Sequence, residues 1–325
     1  MVKIPDNPNF PAGYPEQLPS AEVARRWREL LGETAEAAVP LNLQVTEETV
    51  LPGEVVRQRV TYEVEEGETV PAYYLFRQGL AGDAAGVLAI HAHGGEEMMA
   101  AGKASCCAGE PDPWQYGYHA ALAGFRVLTP DALCFGERRT AWGYVSFFMD
   151  EVNTHMELCS RGSSLAWKSV WDNSRALEAL ESLGSRSLGV MGVSGGSTQG
   201  YLLAAANPKV KAAACYFSFM TLRHQFYQYR LGHCLYHYLP GMMKAGIDWD
   251  QVAALIAPRK LFLAWGAQDE GTPEPMYRAF VAAVERRCAE EGLPPSVSVF
   301  EEAEVGHVVT AEALGAGLRF LREEL

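Results

Sequence analysis

The sequence predicts an α/β fold in which helices cover both faces of a mostly parallel β-sheet. Six short apolar segments follow residue 86 and alternate with helical patterns, as is typical of parallel sheets. The segments are VLAIHAHGG, FRVLTPDA, SLGVMGVS, VKAAACYFSF, KLFLAWGAQD and SVSVFEEAEV. Two earlier β-rich segments, VVRQRVTYEV and TVPAYYLFRQ, predict N-terminal antiparallel strands joined as a hairpin.

The N-terminal region is predicted to form an extended arm followed by one helix. Four prolines among the first 19 residues predict an extended arm. We expect Ser20 to cap a helix that runs to about Gly32. Its apolar stripe contains Val23, Trp27, Leu30 and Leu31. Later helices are predicted over 164–184 and 311–325, where leucines recur at helical spacing.

The predicted domain organisation is simple, because no internal repeat or long linker divides the chain. We predict that residues 1–35 form the arm and helix packed on the core, and that residues 36–325 form one domain. Two long segments, 136–163 and 219–258, interrupt the alternation of strands and helices. Long connections in compact domains are usually lids or binding loops, so we expect both segments at the mouth of an active site.

Composition excludes several classes of function. The net charge of −13 argues against non-specific nucleic-acid binding, which needs a basic surface. The chain lacks a long apolar segment and a secretion signal, so we expect a soluble cytoplasmic protein without a membrane partner. Seven irregularly spaced cysteines without a CxxC pair predict reduced thiols. A homo-oligomer is compatible with these data.

The motif Gly192-Val193-Ser194-Gly195-Gly196 lies between the strand-like SLGVM and the helix-like STQGYLLAAAN. A serine there sits on a tight turn that raises its hydroxyl above the sheet, while the flanking glycines prevent clashes. The strand before and the helix after make this pattern far more specific than GxSxG alone, which also occurs in structural turns. We predict Ser194 as a catalytic nucleophile.

A serine nucleophile needs a histidine base and an acid that orients the histidine. In hydrolases with such a turn, the acid and then the histidine follow the serine along the chain. His307 is the one later histidine between the last strand-like segment and the last helix. Asp269 ends a strand-like segment and is the predicted acid, with its neighbour Glu270 as the competitor.

The tetrahedral intermediate needs backbone N–H donors, the oxyanion hole. Gly195, which follows the nucleophile, supplies one donor. By the HGG pattern in IHAHGGEE, the second donor is the N–H of Gly95. We expect His91 and His93 to brace this loop by hydrogen bonds. Glu96 and Glu97 follow, and we interpret them as solvated charges, with substrate contact as the alternative.

Three further features have structural interpretations. His233 and His237 are four residues apart, but no third metal ligand is evident, so we favour core or lid packing and predict no metal site. Asp131 ends a strand before the serine and is read as a structural or loop-positioning carboxylate. We interpret six aromatic residues as mostly core: Trp142, Tyr144, Phe147, Phe148, Trp167 and Trp171. Those of them within 136–163 can instead wall an apolar pocket.

Several motifs, in order, resemble those of α/β-hydrolases similar to dienelactone hydrolase and to acetyl xylan esterases. The resemblance covers roughly residues 85–310. It rests on IHAHGG, VLTPDALCFGERR, SVWDNSRALEAL before GVMGVSGGSTQG, HYLPGMMKAGIDWDQVAALIAPRK, and GAQD followed by GH. It implies an α/β-hydrolase fold and an ester-cleaving enzyme without a metal or organic cofactor. Ser194 stands where dienelactone hydrolase has cysteine, which argues against a lactone-specific activity.

The predicted function is therefore that of a serine carboxylic-ester hydrolase acting on a small-molecule ester through an acyl-enzyme. The two lid segments favour a small acyl group, with acetyl as the leading candidate. A thioesterase or amidase with the same triad is an alternative, and so is a non-catalytic ligand-binding protein of the same fold.

Overall fold

A computed structural model describes residues 18–32, 39–139, 145–229 and 232–325. Most of the predicted N-terminal arm lies outside these residues, as do Trp142 and Tyr144 of the predicted pocket wall. Every described helix is too short or too polar to span a lipid bilayer.

One sheet of nine strands organises the described residues, in the order β1-β2-β3-β5-β4-β6-β7-β8-β9. The pairs among β1, β2, β3 and β5 are antiparallel, and the remaining pairs are parallel. The predicted hairpin and mostly parallel sheet are confirmed. The strands are β1 (Gln44–Leu51), β2 (Val55–Glu65), β3 (Glu68–Arg77), β4 (Gly86–Ile90), β5 (Arg126–Pro130), β6 (Leu188–Val193), β7 (Val210–Tyr216), β8 (Lys260–Gly266) and β9 (Val297–Glu302).

Strand β1 was not predicted from the sequence. It lies at the edge of the sheet and pairs only with β2, and nearly all of its residues are exposed. An edge strand with two solvated faces carries no alternation of apolar and polar residues, which is the signal that identifies a half-buried strand.

The helices lie on both faces of the sheet, as predicted. Buried residues of α1, α5, α6, α8 and α9 share one apolar cluster, and those of α3 and α10 share the other. The helices are α1 (Ser20–Leu31), α2 (Glu96–Ala101), α3 (Tyr116–Leu122), α4 (Phe147–Ser160), α5 (Leu165–Ser182), α6 (Gly195–Ala206), α7 (Met242–Ala245), α8 (Trp249–Ala254), α9 (Glu274–Glu291) and α10 (Ala311–Glu324).

Helix α1 packs on the core through its predicted stripe. Val23 and Trp27 are buried, and the Trp27 ring meets the Trp249 ring edge-on with centroids 6.0 Å apart. The predicted cap at Ser20 is wrong. Pro19 is the capping residue, and Ser20 is the first residue of the helix.

The two long segments are only partly irregular. Segment 136–163 contains α4, and segment 219–258 contains α7 and α8 together with short helical turns near 224–229 and 235–237. Both segments leave the carboxyl end of a parallel strand, because one follows β5 and the other follows β7.

Candidate active site

Ser194 occupies a strained turn between β6 and α6. Its φ of 56° and ψ of −120° lie in a region that residues other than glycine rarely adopt. The Ser194 N–H donates to the carbonyl oxygen of Tyr216 at the end of β7, over 2.8 Å. The side chain is half-buried. The sharp turn therefore places Ser194 at the tip of a central strand, between the end of β6 and the start of α6.

The glycines of the motif are required by close backbone approach. A Cβ at Gly192 would lie 2.2 Å from the carbonyl oxygen of Gly196, and one at Gly196 would lie 2.0 Å from the carbonyl oxygen of Ile90. A Cβ at Gly195 would lie 2.8 Å from Cβ of His93. Real Cβ atoms do not approach so closely, so the turn can pack on β4 and on the loop after it only with glycine at these positions.

Asp269 and His307 come together, although 38 residues separate them in sequence. Nδ1 of His307 lies 2.9 Å from Oδ2 of Asp269, and the other carboxylate oxygen accepts the N–H of Gly271 over 2.8 Å. A carboxylate can only accept, so Nδ1 carries the proton of this hydrogen bond, and in the neutral ring the lone pair is on Nε2. The Asp269 side chain is 1% exposed, whereas that of His307 is 35% exposed. The competitor Glu270 is exposed.

The Asp269–His307 pair lies on the same side of the sheet as Ser194. Strands β6, β7 and β8 are adjacent and parallel, so the loops after them meet at one edge. The His307 ring lies against the ring of Phe217, with centroids 5.0 Å apart. Phe217 follows Tyr216, whose carbonyl binds Ser194 N–H.

The loop after β4 forms the other side of the Ser194 turn. Gly95 is exposed and precedes α2, while His93 contacts the position of Gly195. His91 is held on both ring nitrogens. Its Nδ1 donates to the carbonyl oxygen of Ala92 over 2.9 Å, and its Nε2 accepts the N–H of Ala132 over 3.1 Å. Burial lowers the pKa of His91, which keeps the ring neutral. The predicted bracing role of His91 is confirmed.

His93 braces the same loop in a charged form. Its Nδ1 lies 2.8 Å from the carbonyl oxygen of Gly94, and its Nε2 lies 2.8 Å from a carboxylate oxygen of Glu151. Both partners are acceptors, so both ring nitrogens donate and the ring is an imidazolium. Burial opposes this charge, but the hydrogen bond and charge of Glu151 outweigh it and raise the pKa of His93.

Helix α4 is fixed to this loop at two points. The Glu96 carboxylate accepts the N–H groups of Phe147 and Phe148, over 2.9 and 3.2 Å, at the start of the helix. Glu96 and Glu97 are both exposed, as the interpretation as solvated charges expects, and Glu96 in addition makes these backbone hydrogen bonds. Glu151 is the second point, and its side chain is fully buried. Glu151 was not predicted, since a polar helix carries no pattern that marks one glutamate as buried.

Asp131 lies outside the site and has the structural role predicted for it. Its carboxylate accepts the backbone N–H of Lys103 over 2.7 Å, pairs with Lys103 Nζ over 2.6 Å and accepts the N–H of Glu137 over 3.0 Å.

The prediction that His233 and His237 have no third metal-ligand neighbour is wrong. The sulfur of Cys234 lies between them, 3.2 and 3.4 Å from their Nδ1 atoms.

Solved structures of esterases share this architecture. An acetyl xylan esterase from Paenibacillus sp. R4 is 18% identical with a TM-score of 0.67, and the match covers 96% of this chain and 97% of that one. A Bacteroides fragilis protein described as an acetyl xylan esterase is 14% identical with a TM-score of 0.71, over 94% and 87% of the two chains. The chain has the α/β-hydrolase fold. A glucuronoyl esterase from Solibacter usitatus matches this chain at 15% identity and a TM-score of 0.64, over 93% and 92% of the two chains.

Comparisons of sequence alone are negative, since no family model and no curated protein matches this chain. The three predicted site residues each follow a strand of the sheet. Ser194 follows β6, Asp269 follows β8, and His307 lies between β9 and α10. In this fold the serine, the acid and the histidine follow one another along the chain in that order.

Proposed function

We propose that this protein is a serine hydrolase that cleaves small carboxylic esters through an acyl-enzyme intermediate. The proposal is carried by one observation, the hydrogen bond between Asp269 and His307 next to the strained turn of Ser194. This arrangement leaves Nε2 of His307 as a base on a ring whose tautomer is fixed.

In the first half-reaction, Nε2 of His307 takes the proton of the Ser194 hydroxyl as its Oγ attacks the ester carbonyl carbon. The C=O electron pair moves to oxygen and forms a tetrahedral oxyanion. When the intermediate collapses, the C–O bond to the alcohol breaks and His307 gives its proton to the departing oxygen. The acyl group is then bonded to Ser194.

In the second half-reaction, water repeats the same steps. His307 takes a proton from water, the hydroxide oxygen attacks the acyl carbon, and Ser194 leaves with the proton that His307 returns. The buried Asp269 carboxylate stabilises the imidazolium that forms in each half-reaction. Its second oxygen is fixed by Gly271 N–H, which holds the carboxylate in the orientation that the histidine needs.

The N–H groups of Gly195 and Gly95 serve in this proposal as oxyanion donors. Gly195 is the first residue of α6, where the N–H groups of the first turn have no partner within the helix and carry the positive end of its dipole. Gly95 lies on the loop that packs against Gly195 through His93. Each such donor typically supplies roughly 3–4 kcal/mol of transition-state stabilisation.

Esters are favoured as substrates by the similar structures, whose names are acetyl xylan esterase and glucuronoyl esterase. We infer a short acyl group because α4, in the first of the two predicted lid segments, is fixed to the loop of Gly95 through Glu96 and Glu151.

Hydrolysis of p-nitrophenyl acetate, butyrate and octanoate tests this function in the wild-type protein and in Ser194→Ala. We expect turnover that falls as the acyl chain lengthens, and a loss of roughly 10⁴-fold or more in kcat for the variant. Equal turnover by the variant would contradict the serine mechanism. Absence of turnover on all three esters would favour a ligand-binding protein of the same fold.

A further inference from the structure

A second cluster of reactive side chains lies beside the Ser194 turn. Among the described residues, His233, Cys234 and His237 are the only three His, Cys, Asp or Glu side chains whose ligand atoms lie within 4.8 Å of one another. All three come from one short turn, and Cys234 and His237 are buried. The cysteine is a free thiol.

The distances resemble those between ligands of one tetrahedral metal ion. Sγ of Cys234 lies 3.2 Å from Nδ1 of His233 and 3.4 Å from Nδ1 of His237. Bond lengths of about 2.3 Å to sulfur and 2.0–2.1 Å to nitrogen at a tetrahedral angle place the two donors about 3.6 Å apart. Shifts of a few tenths of an ångström would bring each nitrogen–sulfur pair to that separation.

The Nε2 atoms of His233 and His237 form hydrogen bonds, as the second ring nitrogen of a metal-bound histidine usually does. Nε2 of His237 lies 3.0 Å from the hydroxyl of Thr198, and Nε2 of His233 lies 3.3 Å from the hydroxyl of Ser218. A hydrogen bond on Nε2 orients the ring and leaves Nδ1 as the ligand atom. Both histidines therefore present the same nitrogen to the same sulfur.

One buried carboxylate, which also pairs with His93, lies beside the cluster. With Zn²⁺, one thiolate and two neutral imidazoles the cluster carries a charge of +1. The buried carboxylate of Glu151 lies next to it, because its Oε1 accepts the N–H of Leu235 over 3.3 Å. His233 is half-buried, which gives an ion a route from solvent.

We propose that His233, Cys234 and His237 bind one Zn²⁺ ion through Nδ1, Sγ and Nδ1. Binding breaks the S–H bond of Cys234, whose proton leaves to solvent, and the three-ligand set leaves the fourth position to water. The ion fixes the 233–237 turn between Thr198 on α6 and Ser218 after β7. The ion takes no part in the reaction proposed for Ser194.

The test is metal binding by the full-length protein after treatment with a chelator. Titration with Co²⁺ is expected to saturate at one equivalent and to give a thiolate-to-cobalt charge-transfer band with the intense visible bands of a tetrahedral site. Zn²⁺ is expected to displace the cobalt and abolish these bands. A wild-type protein that binds no Co²⁺, or binds it without the charge-transfer band, would overturn the proposal.

Three variants locate the site. Cys234→Ser is expected to lose the charge-transfer band, and Thr198→Val to bind Zn²⁺ roughly 10–100-fold more weakly through loss of the hydrogen bond to His237. Cys159→Ser is the matched control, because Cys159 also lies 3.4 Å from a histidine nitrogen, of His155, but belongs to no group of three. A band that survives in Cys234→Ser, or disappears in Cys159→Ser, would refute the assignment. Circular dichroism verifies folding, and none of these readouts depends on ester turnover.

Discussion

Asp269 and His307 form the hydrogen bond on which the proposed chemistry depends most. The bond fixes the proton on Nδ1, and Asp269 has almost no contact with solvent. Its neighbour Glu270 is exposed and offers the same chemistry at an adjacent position. The two carboxylates therefore form a natural pair for substitution.

Replacing Asp269 by asparagine is expected to lower kcat on p-nitrophenyl acetate by roughly 10³–10⁴-fold. The amide can donate to Nδ1, which moves the imidazole proton to Nε2 and removes the base. Glu270→Gln is the control and is expected to keep wild-type kcat. Similar losses in the two variants, or no loss in Asp269→Asn, would contradict the assignment of the acid.

The His93–Glu151 pair predicts a pH dependence of stability. The pKa of His93 is raised above its usual value of 6.5 in the folded state, so the pair's contribution is complete below about pH 6.5. That contribution is lost as the pH rises through the raised pKa. Glu151→Gln is expected to lower the free energy of unfolding by about 1.5–3 kcal/mol below pH 6.5 and by less above the raised pKa.

Urea unfolding at a series of pH values measures this effect. Glu157→Gln is the matched control on the same helix, because Glu157 is exposed and pairs only with the exposed Arg161. We expect the control to follow the wild-type pH profile. A Glu151→Gln profile parallel to that of the wild type would show that His93 carries no charge from this pair.

At the scale of elements, the strand–turn–helix unit of β6 and α6 depends on glycine where backbones meet. Gly196→Ala is expected to destabilise the protein by about 1–3 kcal/mol or more, since its Cβ would lie 2.0 Å from the Ile90 carbonyl oxygen. Gly200→Ala, one turn later on α6, is expected to stabilise the protein by up to about 1 kcal/mol. Its Cβ would make ordinary contacts at 3.6 and 3.8 Å.

Urea denaturation of both alanine variants checks the paired prediction. If Gly196→Ala were as stable as the wild type, β4 and the turn could move apart to accept a Cβ. The close contact with β4 would then not explain the glycine at this position.

Elements were predictable from the sequence where burial imposes a pattern. Strands β4 to β8 are apolar on both faces, so their short apolar segments stand out between helical patterns. Strand β1 escaped prediction because solvent covers both of its faces. The start of α1 was misassigned by one residue, since Pro19 and Ser20 are both compatible with a helix start and only the structure distinguishes them.

In the molecule as a whole, the features that the sequence did not predict are those that depend on contacts between distant segments. The positions of Ser194, Asp269 and His307 relative to the strands follow from their order along the chain. The burial of Glu151 against His93 and the grouping of Cys234 with two histidines depend on how segments 136–163 and 219–258 fold over the sheet. These segments have no periodic pattern, so their contacts appear only in three dimensions.

The central claim is that Ser194 is the nucleophile, and covalent labelling tests it most directly. The protein is treated with a fluorophosphonate, digested and analysed by mass spectrometry, with Ser194→Ala as the control. We expect one adduct, on the peptide that contains Ser194, and none in the variant. An adduct on another residue, or an unlabelled Ser194 in a protein that hydrolyses esters, would contradict it.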